Sequence, residues 1–196
     1  TFTYSLVSGT GDTDNAAFSI VGGTLKTAAS FDFETKASYS VRVRSTDANG
    51  LSTEKAFVIS VTDVNEAPSD ITLTGSTVPE NAASGTTVGT LSTADVDAGD
   101  TFTYSLVSGT GDTDNAAFAI VGGSLKTAAS FNFEAKSSYT VRVRSTDANG
   151  LTYEKPFVIA VTDVNEAAAI GLPAPFLNEV TEDVAVDGNG FLSTTG

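Results

Sequence analysis

The 196-residue chain carries 24 acidic and 10 basic residues and a formal net charge of −14, which argues against binding to nucleic acid or to an anionic membrane surface, because both need basic patches. It contains no cysteine, histidine, methionine or tryptophan, which excludes disulfide bonds, ordinary zinc sites and cysteine or histidine nucleophiles. No apolar run approaches the length of a membrane span.

A long internal repeat organises the chain. Residues 1–67 align without a gap with residues 101–167, and 57 of the 67 positions are identical. A period of this length matches a whole domain in a tandem array rather than a solenoid unit. We therefore predict a first module at 1–67 that lacks its N-terminal strands, a complete module at 68–167, and the opening strands of a third at 168–196.

Short alternating runs of apolar and polar residues fill the complete module. In chain order, they lie near residues 71–73, 88–91, 102–106, 118–120, 125, 139–143 and 157–161. Gly122-Gly123 separates two of them and predicts a hairpin turn. No stretch has helical periodicity, so we predict an all-β fold of tandem seven-strand Greek-key sandwiches of the immunoglobulin-like kind.

Each repeat ends in an acidic linker. Asp63-Val64-Asn65-Glu66-Ala67 returns as Asp163-Val164-Asn165-Glu166-Ala167. Successive side chains of an extended segment point to opposite sides, so such a linker offers oxygen ligands in two directions. Ca²⁺ takes about six to eight oxygen ligands, including backbone carbonyls, so each linker is predicted to form part of a calcium site.

Further oxygen ligands stand at predicted strand ends. Asp95-Val96-Asp97 and Asp32-Phe33-Glu34 each place two carboxylates on one face of an extended segment. Asp147 precedes a turn, and Glu80 follows a proline. Asp12-Thr13-Asp14-Asn15 is instead interpreted as a turn capped by its own side chains.

The order and spacing of these motifs resemble the cadherin-like repeats. The resemblance covers residues 1–167 and is carried by Pro79-Glu80-Asn81, Asp95-Val96-Asp97, Asn132-Phe133-Glu134, Asp147-Ala148-Asn149-Gly150 and the linker Asp163-Val164-Asn165-Glu166-Ala167. It implies an array of β-sandwiches with Ca²⁺ at each junction. The sequence departs from the family pattern where Glu66 and Glu166 replace Asp, Ala67 and Ala167 replace Asn, and Asn132 replaces Asp.

Carried over position by position, the resemblance implies a ligand set for each junction. At the first junction the set is Asp32, Glu34, Asp63, Asn65, Glu66, Asp95, Asp97 and Asp147, with the carbonyls of Val64 and Ala67. Glu80, Glu134, Asp163, Asn165 and Glu166 are the corresponding candidates at the other end of the complete module. The loss of one charge at Asn132 implies weaker binding there.

The tail resembles the start of a different repeat. Val180-Thr181-Glu182-Asp183 and the segment from Gly188 to Gly196 are similar to the opening of a VCBS-type module. Both repeat types, and near-identical tandem copies, are typical of large secreted proteins on bacterial surfaces. The leading hypothesis is therefore an extender segment of a bacterial surface adhesin, stiffened by Ca²⁺ bound between modules.

Two other functions are weighed against this one. A calcium-dependent carbohydrate-binding module of a polysaccharide-degrading system is the alternative, although sugar platforms usually need exposed aromatic rings and only Tyr153 is predicted to offer one. An enzyme is not expected, because the metal junctions account for every acidic pair.

The two ends of the chain suggest self-association. Without N-terminal strands, the first module is expected to expose apolar residues such as Phe2, Tyr4 and Val41. We therefore hypothesise that residues 168–196 complete the first module of a neighbouring molecule by strand swapping, with Glu182 in the place of Glu80.

Overall fold

The structure is a computed structural model that describes residues 1–166 and two short strands, Val184–Val186 and Leu192–Thr194. The chain forms two compact units, Thr1–Asp163 and Val164–Gly196. The strands of both repeats lie in the first unit. In the second unit the two short strands pair with each other in antiparallel fashion. The hypotheses about the tail, including Glu182, fall outside the described residues.

The described structure is built mainly from strands, as the sequence predicts, with short 3₁₀ helices at Asn15–Ala17 and Asn115–Ala117. The strands of the first repeat are β1 Thr3–Leu6, β2 Phe18–Val21, β3 Thr24–Thr27, β4 Ser38–Thr46 and β5 Ser52–Ser60. Those of the complete module are β6 Asp70–Leu73, β7 Thr77–Pro79, β8 Thr87–Ala94, β9 Thr103–Leu106, β10 Phe118–Val121, β11 Ser124–Thr127, β12 Ser138–Thr146 and β13 Thr152–Thr162. The second unit contributes β14 Val184–Val186 and β15 Leu192–Thr194.

Two four-stranded sheets make up the complete module. One has the order β10-β11-β8-β6, and the other has the order β7-β13-β12-β9. The module therefore contains eight strand segments where seven were predicted. The difference arises because the first strand is split into β6 and β7, which lie in different sheets. Strand β7 runs parallel to β13, from Thr77 opposite Ala160 to Pro79 opposite Thr162.

Gly75 lies where the chain crosses from one sheet to the other. Its φ of 130° is in a region that residues with a side chain rarely adopt. A Cβ atom at this position would also lie 2.7 Å from the carbonyl oxygen of Val88. The split of the first strand therefore requires glycine at this point.

The core of the complete module lies between its two sheets. Ile71, Leu91 and Leu125 come from one sheet, whereas Val78 and Ile159 come from the other, and all five are buried. Tyr153 packs against this core and is partly buried. The expectation that Tyr153 is an exposed aromatic residue is therefore wrong, because the alternation along β13 puts its ring on the same face as Phe157 and Ile159, which face the core.

The first repeat has the same strands but fewer neighbours for them. Strands β1, β4 and β5 form a three-stranded sheet, and β2 and β3 form a hairpin. Phe2 and Tyr4 are 62% and 46% exposed, as predicted for an open module. The prediction that Val41 is exposed is wrong: Val41 is fully buried at the centre of β4, the middle strand of its sheet.

Turns and aromatic contacts are reproduced in both copies. Phe18, Phe31 and Tyr39 form a ring cluster with centroid distances of 4.5 to 6.1 Å, and Phe118, Phe131 and Tyr139 repeat it. Gly122 and Gly123 both have positive φ, as the predicted two-residue hairpin turn requires. The Asp12 carboxylate accepts a hydrogen bond from the backbone N–H of Gly9 at 3.0 Å, which confirms the turn interpretation.

Candidate metal centre

The first linker is held against the complete module by polar contacts. The Asn65 side-chain amide donates a hydrogen bond of 2.9 Å to Asp147 Oδ2. The backbone N–H of Glu66 donates one of 2.9 Å to Asp97 Oδ2. The Asn149 side-chain amide donates to Asn65 Oδ1. The acidic linker therefore runs directly beside the acidic strand ends that the sequence singled out.

Four carboxylates from three parts of the chain meet at this junction. Glu34 comes from the first repeat, Asp63 and Glu66 come from the linker, and Asp97 comes from the complete module. One oxygen atom from each lies within 4.8 Å of the others. Residues more than sixty positions apart thus form one cluster, which we call the bridging cluster.

A second cluster shares Asp97 with the first. Oxygen atoms of Asp95, Asp97 and Asp100 also lie within 4.8 Å of one another. Asp95 Oδ2 and Asp100 Oδ2 are buried and have no hydrogen-bond partner. A buried carboxylate oxygen without a partner is costly, because it has lost its hydration and gained nothing in return. These two atoms therefore fit a site that is completed by a cation.

Asp100 was not among the predicted ligands. It follows Asp97 by three residues, and the turn between them brings both carboxylates to the same place: the backbone N–H of Asp100 donates to the carbonyl of Asp97. The sequence signal for it is the Asp97-Ala98-Gly99-Asp100 turn, in which Gly99 has a φ of 97°. Together with Asp63, Asn65, Asp97 and Asn149, Asp100 lines a polar cavity of about 290 Å³.

Mutual repulsion marks the junctional carboxylates. Burial raises the pKa of Glu66 above its usual value, and the negative charges of Glu34, Asp97, Asp63 and Asp32 raise it further. Burial likewise raises the pKa of Asp100, with contributions from Asp97, Asp147, Asp95 and Asp63. Both shifts show that the negative form of the cluster is disfavoured without a compensating positive charge.

Hydrogen bonds lower the pKa values of two other predicted ligands, Asp147 and Asp32. The hydrogen bond from the Asn65 amide lowers the pKa of the buried Asp147, and backbone N–H groups of its own turn lower it further. Asp32 accepts a 2.9 Å hydrogen bond from the backbone N–H of Thr35, which lowers its pKa. Neither is a member of the carboxylate clusters in the described part of the chain.

The far end of the complete module has a corresponding group. Oxygen atoms of Glu80, Glu134 and Asp163 lie within 4.8 Å of one another. Glu80 is only 2% exposed, and its carboxylate accepts a 2.9 Å hydrogen bond from the backbone N–H of Phe133. The three residues were singled out from sequence for this end of the module, and the fold brings them together.

The remaining predicted ligands lie on the linkers. Val64 and Ala67 are exposed on the first linker, and the ligand role of their carbonyls stays a prediction. Asn165 and Glu166 belong to the second compact unit, where both are exposed. Their ligand role also stays a prediction.

The chemistry of the donor set is that of a hard-cation site. Every side chain of the two clusters at the first junction is a carboxylate, and Asn65 adds an amide oxygen beside them. Such oxygen ligands suit Ca²⁺ or Mg²⁺, and Ca²⁺ tolerates the larger and less regular ligand number that two adjoining clusters provide.

Comparison with known proteins shows that part of this chain is similar to one family of β-sandwich domains. Residues 75–162 match the family model of the cadherin domain. Protocadherin-16 from Homo sapiens is 33% identical over 168 residues, which are 82% of this chain and 5% of that protein. The chain thus spans a small part of the curated relatives that it matches.

Solved structures agree with this assignment. A structure of PcdhgB3 EC1-4 has a TM-score of 0.65 and 25% identity, and the match covers 84% of this chain and 41% of that one. The cis-dimer structure of protocadherin gammaB7 EC3-6 has a TM-score of 0.58 and 27% identity, and the match covers 85% of this chain and 41% of that one.

Among the residues that the structure describes, none forms a helix with the length and apolar character of a membrane span. Cadherin domains are calcium-binding, extracellular adhesion modules rather than enzymes. Residues 75–162 are therefore similar to the cadherin domain, in an all-β fold whose structural neighbours are cadherin-like.

Proposed function

We propose that this chain is an extender segment of an extracellular adhesin, in which Ca²⁺ bound at the junction between the two repeats holds them in a fixed relative orientation. The role is mechanical: the modules act as spacers and the junctions set how far they bend. The observation that carries the proposal is the pair of carboxylate clusters that share Asp97, with the partnerless buried oxygens of Asp95 and Asp100.

The residues of the bridging cluster would hold the ion from both sides of the junction. Glu34 belongs to the first repeat and Asp97 belongs to the complete module. An ion that both carboxylates bind would therefore connect the first repeat to the complete module. Asp95 and Asp100 would complete the coordination next to Asp97. The ion supplies positive charge, which offsets the mutual repulsion of these carboxylates.

The setting that we propose is a bacterial cell surface. The two repeats are identical at 57 of 67 positions, which favours a long array of recently duplicated modules. The absence of cysteine means that stability rests on the core and on the junctions rather than on disulfide bonds. The VCBS-like tail is part of this proposal.

Exposed aromatic residues do not favour glycan binding. The exposed rings of Phe2, Tyr4 and Phe57 all belong to the first repeat. The matching residues Tyr104 and Phe157 are packed against the core of the complete module. The exposure of Tyr4 and Phe57 therefore reflects an uncovered core face rather than a surface built to stack on a sugar ring.

Calorimetric titration of the full chain with Ca²⁺ tests the proposal. We expect binding, and a loss of affinity of about tenfold or more in Asp97→Asn, which removes a carboxylate from both clusters. Asp14→Asn is the matched control, because Asp14 pairs with Lys36 and with the backbone of Ser40 instead. Absence of Ca²⁺ binding, or equal losses in the two variants, would contradict the proposal.

A further inference from the structure

One asparagine at the junction is followed directly by glycine. Asn149 and Gly150 belong to the turn that begins at Asp147, and both are exposed. Gly150 has a φ of 94°, and a Cβ atom at this position would meet no atom of the described residues within 4 Å. The space beside the backbone of Gly150 is therefore open to water.

An exposed asparagine ahead of glycine can lose its side-chain nitrogen, because glycine has no side chain to keep its backbone nitrogen away from the amide carbon. The nitrogen of Gly150 attacks Cγ of Asn149, gives up its proton and displaces the side-chain nitrogen as ammonia. Water then opens the cyclic imide at either of its carbonyl carbons. The product is aspartate or isoaspartate, whose carboxyl group is ionised at neutral pH.

A hydrogen bond to the linker opposes this reaction. The side-chain nitrogen of Asn149 donates to Asn65 Oδ1, and the side-chain nitrogen of Asn65 donates in turn to Asp147 Oδ2 at 2.9 Å. Ring closure requires Cγ of Asn149 to swing toward the nitrogen of Gly150, so the amide has to leave Asn65. The contact between the turn and the linker thus controls how often the reactive geometry forms.

The product would alter the polar cavity at the junction. Asn149 lines this cavity together with Asp63, Asn65, Asp97 and Asp100. A carboxylate at position 149 accepts hydrogen bonds but cannot donate one to Asn65 Oδ1. It also adds a negative charge beside three carboxylates, which repel it. Deamidation therefore replaces an attractive contact between the turn and the linker with a repulsive one.

We propose that Asn149 is a site of spontaneous deamidation whose rate is set by its contact with Asn65. The modification accumulates when the linker leaves the turn, and each event adds one negative charge to the junction. The reaction consumes only water, and it does not depend on the calcium role proposed above.

The turn at Asp47 provides a matched reference within the same chain. Asp47 Oδ1 accepts hydrogen bonds from the N–H groups of Asn49 and Leu51, both at 2.9 Å, and Asp147 Oδ1 accepts the same pair in the second copy. Asn49 is also followed by glycine. Its reaction therefore reports the reactivity of the turn itself under the conditions of the experiment.

The effect of the product is tested with Asn149→Asp and with Asn49→Asp as its control. We expect Asn149→Asp to have a thermal midpoint in EDTA that is roughly 2–4 °C below that of Asn49→Asp, because only the first change adds charge to the cavity. Equal midpoints would overturn the effect that we assign to the product.

The site itself is tested by incubating the full chain and its Asn65→Ala variant in mildly alkaline buffer with EDTA. Cleavage after arginine, lysine and glutamate yields peptides 45–54 and 145–154, each with a single asparagine. The peptides differ at two positions, Ser52 against Thr152 and Thr53 against Tyr153, so mass spectrometry follows both sites in one sample.

We expect deamidation of Asn149 in both proteins. Asn65→Ala should raise the ratio of modified Asn149 to modified Asn49 by about two- to tenfold, the factor that corresponds to the loss of one hydrogen bond. A ratio that is unchanged or lower in the variant would overturn the control by Asn65. Absence of the reaction at Asn149 in both proteins would overturn the site.

Discussion

Single carboxylates at the junction repel one another, and Asp100 shows it most clearly. Its Oδ2 atom is buried without a partner, and burial together with Asp97, Asp147, Asp95 and Asp63 raises its pKa. Asp100→Asn removes this repulsion and also removes a ligand. We therefore expect the thermal midpoint in EDTA to rise by roughly 2–4 °C and the further rise on adding Ca²⁺ to shrink. Scanning calorimetry under both conditions measures this. A lower midpoint in EDTA would contradict the repulsion argument.

Asp114 provides a pH-dependent contribution away from the junction. Burial alone would raise its pKa, but hydrogen bonds from the Lys136 ammonium and the Thr140 N–H outweigh burial and hold the pKa below the usual 3.8. A carboxyl group with a depressed pKa stabilises the fold above its unfolded pKa, and this contribution is lost as pH falls through the folded value. Urea unfolding below about pH 4 should therefore show a loss of stability that is smaller in Asp114→Asn. Equal pH profiles would contradict this assignment.

The sequence was sufficient to predict most residues of the junction. Asp95, Asp97, Asp63 and Glu66 stand at strand ends and on a linker, where local pattern fixes their placement. Asp100 was missed, because its position depends on a turn that only the folded backbone defines. Sequence alone also did not show that Asp147 is buried and already bonded to Asn65.

Corresponding strands of the two repeats differ in what covers them, and β3 and β11 provide a matched pair. Leu125 of β11 is fully buried, whereas Leu25 of β3 is partly exposed. Leu125→Ala should cost about 2–5 kcal/mol, since it leaves a cavity in a closed core. Leu25→Ala should cost roughly half of that or less, because part of its side chain already contacts water. Urea unfolding of the two variants makes the comparison. Equal losses would show that the two faces are equally covered.

Strand positions were predictable because period-two alternation and glycine turns are local signals. The division of the first strand into β6 and β7 was not predictable in this way. It depends on the close approach of Gly75 to the carbonyl of Val88, a contact between parts of the chain thirteen residues apart. The burial of Val41 was likewise mispredicted, because it depends on what the fold packs against this part of β4, and Val43 of the same strand is only partly buried.

At the scale of the whole molecule, the central claim is that Ca²⁺ fixes the orientation of the two repeats. The chain has no native cysteine, so two introduced cysteines can be spin-labelled without interference. Val21 and Val121 occupy corresponding positions in the two repeats and are 57% and 58% exposed. Neither residue belongs to the junction.

The most direct measurement is therefore the distance distribution between spin labels in the Val21→Cys, Val121→Cys double variant, recorded by pulsed electron resonance in EDTA and in Ca²⁺. We expect a broad distribution in EDTA and a single narrow one in Ca²⁺, because the bridging cluster would then hold both repeats. Adding Asp97→Asn should leave the distribution broad at the same Ca²⁺ concentration. Superimposable distributions in EDTA and Ca²⁺ would contradict the claim.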